Sequence, residues 1–66
     1  MKDELTAKEN EIIELISQGM NNMEIAEKLV ISEKTVKVHM KHILGKLGLR
    51  DRSQLIVYYY NNLSPK

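Results

Sequence analysis

Residues of the types that cap and terminate helices occur at intervals along the chain, and their positions predict most of its architecture. Thr6 followed by Glu9 has the pattern of a capping box, which predicts a helix from residue 7. Gly19 can take the left-handed conformation that ends such a helix. Asn22 can cap a second helix and Ser32 a third, because both side chains accept hydrogen bonds from helix amides. Three helix starts are therefore marked within the first half of the chain.

Further helix-capping and helix-terminating residues follow toward the end of the chain. Gly48 can end the third helix, and Asp51 with Gln54 repeats the capping box in an acidic form. The only proline is Pro65, so no proline interrupts a helix before the end of the chain. We predict an all-α fold, a compact four-helix domain over residues 1–66, with helices at about 7–18, 23–30, 33–47 and 52–62.

The predicted connection between the second and third helices is very short. Only residues 31 and 32 separate them, which is too few for the two helices to lie antiparallel. A steep crossing after such a turn is the geometry of a helix-turn-helix, and we predict this motif here.

Each predicted helix carries apolar residues on one face, as an amphipathic helix does. These candidate core positions are Ile12, Ile13, Leu15 and Ile16; Ile25, Ala26, Leu29 and Val30; Val36, Met40, Ile43, Leu44 and Leu47; and Leu55, Ile56, Tyr59 and Leu63. The chain has no cysteine, so neither disulfides nor thiolate zinc sites can reinforce this core. A core of this size cannot also enclose a substrate.

Residues that could carry out chemistry do not form a recognisable site. His39 and His42 lie one turn apart on the third helix, but no third metal ligand follows at a suitable spacing. No nucleophile–base pair, pair of catalytic carboxylates or phosphate-cradling glycine loop can be assembled from the sequence. We predict that the protein is not an enzyme and binds no metal, cofactor or small-molecule ligand. Its apolar stretches are also too short to span a membrane.

Charge is distributed unevenly along the chain. Residues 1–33 contain three basic and eight acidic residues, whereas residues 34–66 contain seven basic residues and a single acidic one, Asp51. From Lys34 to Arg50 there is no acidic residue to form the usual pairs along a helix. Such a distribution is expected of a small domain with one face turned toward a polyanion.

The third helix separates its basic and apolar residues. At about 100° per residue, Lys34, Lys37 and Lys41 surround Val38 on the face away from the apolar stripe. Lysine ammonium groups reach phosphates and the acceptor edge of guanine, and a valine can touch a thymine methyl group. The alternative is that these lysines only keep the protein soluble, but their clustering favours a nucleic-acid-binding face.

Positions spread over nearly the whole chain have the residue types and spacing of one family. They are Leu5-Thr6, Glu9, Gly19, Asn22, Glu24-Ile25-Ala26, Leu29, Ile31-Ser32, Lys34-Thr35-Val36-Lys37, His39, Ile43, Lys46-Leu47 and Arg52. In these positions the sequence resembles the LuxR-type helix-turn-helix domain at the carboxyl end of bacterial response regulators of the NarL/FixJ class. It departs from the common pattern at Lys8, where many members have arginine, and Val30 stands where generic helix-turn-helix proteins often have glycine.

The resemblance implies sequence-specific binding to double-stranded DNA as a transcriptional regulator, with the third helix in the major groove. It implies base contacts from Lys37, Val38 and Lys41. It implies contacts to the DNA backbone from Asn22, Ser32, Lys34, Thr35 and Arg52. The helical projection, which is independent of the resemblance, selects the same face of the third helix.

The fourth helix contains three consecutive tyrosines, residues 58–60, which cannot all point inward. The resemblance implies dimerisation through this helix, with Val57, Tyr60 and Asn61 as candidates on its outer face. Tyrosine also tolerates partial exposure, so the patch alone does not require a partner. The rival interpretation is a helical protein-interaction module that uses this helix and does not bind DNA.

The expected partners are double-stranded DNA, a second copy of the chain on DNA, and RNA polymerase. We expect a largely monomeric protein in free solution that dimerises on short repeated half-sites. The expected location is the cytoplasm, with which the absence of cysteine is compatible. The sequence leaves open whether this is a free-standing regulator or one domain of a longer response regulator of a two-component system.

Overall fold

The computed structural model describes residues 5–63, and the elements within that range are helices. They are α1 (Ala7–Ser17), α2 (Asn22–Leu29), α3 (Glu33–Leu47) and α4 (Arg52–Tyr58), followed directly by a π-helical turn, Tyr59–Leu63. This confirms the predicted all-α, four-helix architecture. Among the helices between residues 5 and 63, none is long and apolar enough to cross a lipid bilayer.

The amino end of α1 has the predicted capping box. The Thr6 hydroxyl accepts a hydrogen bond from the Glu9 amide at 3.1 Å, and Glu9 Oε1 accepts one from the Thr6 amide at 2.9 Å. The two bonds satisfy amides that no helical carbonyl can reach. The predicted start of α1 is confirmed, and the helix ends at Ser17, one residue earlier than expected.

The start of α2 differs from the prediction by one residue. Asn21, not Asn22, is the cap: Asn21 Oδ1 accepts from the Glu24 amide at 2.8 Å, and Glu24 Oε1 accepts from the Asn21 amide at 2.9 Å. This reciprocal pair decides between the two neighbouring asparagines, because only Asn21 has a glutamate three positions ahead. Asn22 is therefore the first residue of α2, and its side chain is not needed as a cap.

The starts of α3 and α4 follow the prediction, with one difference in detail. Ser32 Oγ accepts from the Thr35 amide at 3.0 Å, and Asp51 Oδ1 accepts from the Gln54 amide, also at 3.0 Å. The Gln54 side chain does not accept from the Asp51 amide, as a complete capping box requires, because its Oε1 accepts from the amide of Arg50 at 2.7 Å. Gln54 therefore stabilises the loop before α4.

Three of the helices end in a Schellman motif, in which a left-handed residue follows the helix. Gly19 follows α1 with a φ of 93°, and Gly48 follows α3 with a φ of 69°. Val30 follows α2 with a φ of 57°, although a β-branched residue is strained in this conformation. The turn directs Val30 into solvent with 89% of its surface exposed, so its predicted place on the core face of the second helix is wrong.

Residues from all four α-helices meet in one core. The buried hydrophobic side chains are Ile12, Ile13, Leu15, Ile16, Ile25, Ala26, Val36, Ile43 and Leu55. The partly buried side chains around them include Leu29, Met40, Leu44, Leu47, Ile56 and Tyr59. Among residues 5–63, α1 supplies four of the nine buried hydrophobic residues and contacts each of the other helices, so it is the element on which they assemble.

The prediction of one continuous α-helix over residues 52–62 is wrong in its last turn. The α-helical hydrogen bonding stops at Tyr58, and the chain widens into the π-helical turn. The Tyr60 hydroxyl donates to the carbonyl of Ser17 at 2.9 Å, which ties this turn to the end of α1. Leu63, a predicted core position, is exposed because it follows this change of helix type.

Candidate nucleic-acid interface

One side of α3 is fixed in the core. Val36 and Ile43 are fully buried, and Met40, Leu44 and Leu47 are partly buried beside them. This side packs against α1 and α2. The core therefore sets the direction in which the opposite side of α3 faces.

The opposite side of α3 is basic and open to solvent. Lys34, Lys37 and Lys41 are exposed, and Val38 lies among them with 46% of its surface exposed. Within residues 5–63, the three ammonium groups have neither a hydrogen-bond partner nor an ion-pair partner. The predicted separation of basic and apolar faces is confirmed. The three charges are available to an external anion.

Two hydroxyl groups lie at the amino end of this basic side. Ser32 Oγ and Thr35 Oγ1 are 2.9 Å apart and share a hydrogen bond. Because one hydroxyl donates to the other, the acceptor's own O–H remains free to donate outward. Together with Lys34, the pair brings hydroxyl and ammonium donors to one end of α3.

The turn between α2 and α3 holds the two helices in contact. It consists of residues 30–32, and the amide of Ile31 donates to the carbonyl of Ala26 at 3.0 Å. Ala26 is buried, and Ile31 packs against the edge of the core. The short turn and the direct packing of α2 on α3 agree with the predicted helix-turn-helix, in which α3 is the second helix.

One lysine of α3 does not belong to the basic side. Lys46 Nζ lies 2.8 Å from Oε1 of Glu9, whose surface is only 5% exposed. Burial by itself raises the pKa of Glu9, but the hydrogen bonds from Lys46 and Thr6 and the charge of Lys46 outweigh it, so the pKa lies below its usual range. Lys46 therefore ties α3 to the amino end of α1.

Local sequence patterns do not predict the Glu9–Lys46 pair, because 37 positions separate the two residues. A signal for it is nevertheless present. Glu9 stands at helical spacing from Ile12, Ile13 and Ile16, which places its carboxylate on the buried face of α1. A buried carboxylate requires a partner, and Lys46 has no acidic neighbour on its own helix.

Asn22 and Arg52, both expected to contact the DNA backbone, lie against each other. Arg52 Nη1 donates to Asn22 Oδ1 at 3.0 Å, and Arg52 Nη2 donates to the carbonyl of Met20. Both Asn22 and Arg52 are half-buried. Arg52 therefore joins the first residue of α4 to the start of α2, a contact that the sequence did not predict.

The predicted dimer residues lie in two different places. Val57 and Asn61 line a shallow groove along α4, together with Leu49, Ser53, Gln54, Tyr58 and Asn62. Tyr60 does not line this groove. Its ring lies edge-to-face on Tyr59, with 5.2 Å between ring centroids, and its hydroxyl is bonded to Ser17. Val57 and Asn61 thus share one open surface, whereas Tyr60 connects the turn after α4 to the end of α1.

Comparisons with known proteins agree with this geometry. Residues 3–59 match the family model described as bacterial regulatory proteins, luxR family. The chain is 49% identical over 55 residues to the transcriptional regulatory protein LnrK of Bacillus subtilis (strain 168). It is 50% identical over 54 residues to the oxygen regulatory protein NreC of Staphylococcus aureus (strain JH9). These stretches cover 83% and 82% of the chain, which spans about a quarter of the length of each relative.

The family match includes all four α-helices, the turn between α2 and α3, and the basic side of α3. Both relatives are regulatory proteins by name. The match places the chain among DNA-binding regulators of transcription. The chain belongs to the LuxR family of bacterial regulatory proteins.

Proposed function

We propose that this chain binds double-stranded DNA sequence-specifically, with α3 lying in the major groove. The observation that carries the proposal is the two-sided packing of α3, which is anchored in the core by Val36 and Ile43. The side that faces away carries three lysines, which have no partner among residues 5–63, around an exposed valine. The major groove is wide enough for one α-helix. Its base edges and the flanking phosphates present acceptors to which lysine ammonium groups can donate hydrogen bonds.

The proposed base contacts are Lys37, Val38 and Lys41. Lys37 and Lys41 can reach guanine O6 and N7, and Val38 can contact a thymine methyl group between them. Lys34 lies at the amino end of the basic side with the hydroxyls of Ser32 and Thr35. Those three groups are the proposed donors to phosphates, which fix the register of the helix on the duplex.

The proposal is tested by the fluorescence anisotropy of a labelled duplex, titrated with the protein across a series of salt concentrations. The parent should show a steep linear fall of log affinity with log salt. The Lys37→Ala, Lys41→Ala double variant should lose about 2 kcal/mol or more of binding free energy and show a shallower slope. A matched control replaces Lys8 and Lys28, which lie on α1 and α2, and should lose much less.

Two outcomes would favour the rival protein-interaction module. One is a parent that does not bind duplex DNA even at low salt. The other is a double variant that binds as tightly as the parent. Either outcome would show that α3 does not lie in the major groove. The open surface of α4 would then be the better candidate for the functional site.

A second copy of the chain is the proposed partner on DNA. The groove on α4 supports this, because Val57 is a large apolar side chain with 58% of its surface exposed, and Asn61 lies one turn beyond it. A two-fold dimer would set two α3 helices about one turn of DNA apart. Val57→Glu should weaken binding to a duplex with two half-sites and leave binding to a single half-site unchanged. Sedimentation of the free protein should show mostly monomer, and a tight dimer at micromolar concentration would contradict this.

The setting proposed for this activity is the bacterial cytoplasm, where the chromosome lies. A regulator of transcription must change the output of RNA polymerase, so polymerase at a neighbouring promoter is the further proposed partner.

A further inference from the structure

A guanidinium group fixes the orientation of the Asn22 amide. Arg52 Nη1 lies 3.0 Å from Asn22 Oδ1, while Arg52 Nη2 is held by the carbonyl of Met20. Arginine has five N–H donors and no acceptor, so only the oxygen of the Asn22 amide can face it. The NH₂ group of Asn22 must therefore point away from Arg52.

The NH₂ group of Asn22 has no acceptor among residues 5–63. The neighbouring residue Asn21 takes the capping role, so Asn22 is not needed to satisfy the amides of α2. Asn22 is half-buried and its amide is held by a hydrogen bond to a charged donor, which restricts its rotation. A donor that is already oriented loses little conformational entropy when it meets an anionic oxygen.

We infer that Arg52 is a positioning residue that presents the Asn22 NH₂ group as a donor to a DNA phosphate. This rests on the proposed function, because a helix-turn-helix whose second helix, α3, lies in the major groove has its first helix, α2, across the DNA backbone. Asn22 makes the contact with the phosphate oxygen, and Arg52 acts through Asn22. The bond from Arg52 to Met20 anchors the guanidinium, so that its position sets the direction of the amide.

Asn22→Asp separates this role from a purely structural one. Aspartate has the shape of asparagine and accepts from Arg52 as a carboxylate, so the fold and the melting temperature should be retained or raised. It has no donor for a phosphate, and DNA affinity should fall about 10-fold or more. The control Asn10→Asp makes the same chemical change at an exposed position of α1 and should change affinity by about 2-fold or less. If Asn22→Asp binds as the control does, the inference is wrong.

A double-mutant cycle between Arg52→Lys and Asn22→Ala tests whether Arg52 acts through Asn22. Lysine keeps the charge but lacks the planar fork that holds both Met20 and Asn22. Alone, Arg52→Lys should weaken DNA binding several-fold, and in the Asn22→Ala background it should cause almost no further loss. An equal loss in both backgrounds would show that Arg52 meets the phosphate directly, and would overturn the inference.

The anisotropy titrations are made with the full chain at a temperature where circular dichroism shows every variant to be folded. The Lys37→Ala, Lys41→Ala variant is included in the same series. If the parent binds DNA and loses affinity through that variant but not through Asn22→Asp, the proposed function stands and this inference fails. If the parent does not bind duplex DNA, the proposed function fails first, and this inference fails with it.

Discussion

Lys41 and Lys46 lie on the same helix, but their surroundings have little in common. Lys41 extends into solvent without a partner among residues 5–63, whereas Lys46 donates to the buried carboxylate of Glu9. The apolar residues of α3 show the same contrast, because Val38 is exposed and Ile43 is fully buried. Residue type alone does not assign a role on α3; the side of the helix does. Substitutions on the two sides should therefore divide into those that affect folding and those that affect binding.

The largest expected difference is between the two apolar residues. Ile43→Ala should lower the free energy of unfolding by about 2–4 kcal/mol, because it leaves a cavity in the middle of the core. Val38→Ala should change it by less than about 0.5 kcal/mol. Chemical denaturation followed by circular dichroism measures both. Equal effects would mean that α3 is not anchored on one side as described.

Lys41 and Lys46 should show the same division between effects on binding and effects on folding, with a smaller change in stability. Lys46→Met should lower the free energy of unfolding by about 1–3 kcal/mol, because it leaves the Glu9 carboxylate buried without its ammonium partner. Lys41→Met should leave stability within about 0.5 kcal/mol of the parent but weaken binding to DNA. If the two variants are equally stable, the Glu9–Lys46 contact does not hold α3 to α1.

The same contact should appear in the pH dependence of stability. The pKa of Glu9 is lower in the folded state than its usual value, so the ionised form favours folding. Its contribution is present above the usual glutamate range and is lost as the pH falls through the lowered pKa. The parent should therefore be more stable than Glu9→Gln at neutral pH, and the difference should shrink on acidification. A difference that grew in acid would contradict the assignment.

The smallest expected effect lies at the turn that leads into α3. Val30 occupies the left-handed position that glycine holds after α1 and α3, and its side chain gains almost nothing from burial. Val30→Gly should raise the free energy of unfolding by about 0.5–1 kcal/mol through relief of strain. Thermal melting measures this gain, with Gly48→Val as the reverse change, which should be destabilising. A loss of stability in Val30→Gly would show that the valine is not strained.

Much of the fold could be predicted because its signals are local. The capping box of Thr6 and Glu9 and the apolar stripe of α3 involve neighbours three or four residues apart, which a helix brings together wherever it packs. The basic side of α3 follows from the same periodicity. These signals required no knowledge of how the helices are arranged.

What the sequence did not reveal depends on distant residues or on a change of helix geometry. Lys46 reaches Glu9, and Arg52 reaches Asn22, only after the helices have packed. The hydroxyl of Tyr60, a residue expected on the dimer face, reaches Ser17 from a π-helical turn that the sequence did not predict. A period of 3.6 residues, projected past Tyr58, places Leu63 in the core, whereas Leu63 is exposed in the π-helical turn.

The most direct test of the central claim asks whether the side chains of α3 read the major groove. A duplex is first selected from random sequence for tight binding to the parent, and each guanine is then replaced by 7-deazaguanine, which lacks the N7 acceptor but still pairs with cytosine. We predict that replacement at one or two guanines weakens the parent about 10-fold. The Lys37→Ala, Lys41→Ala variant should be insensitive to the same replacements. If the parent binds every modified duplex as tightly as the original, or if the variant is as sensitive as the parent, α3 does not read the groove through these lysines.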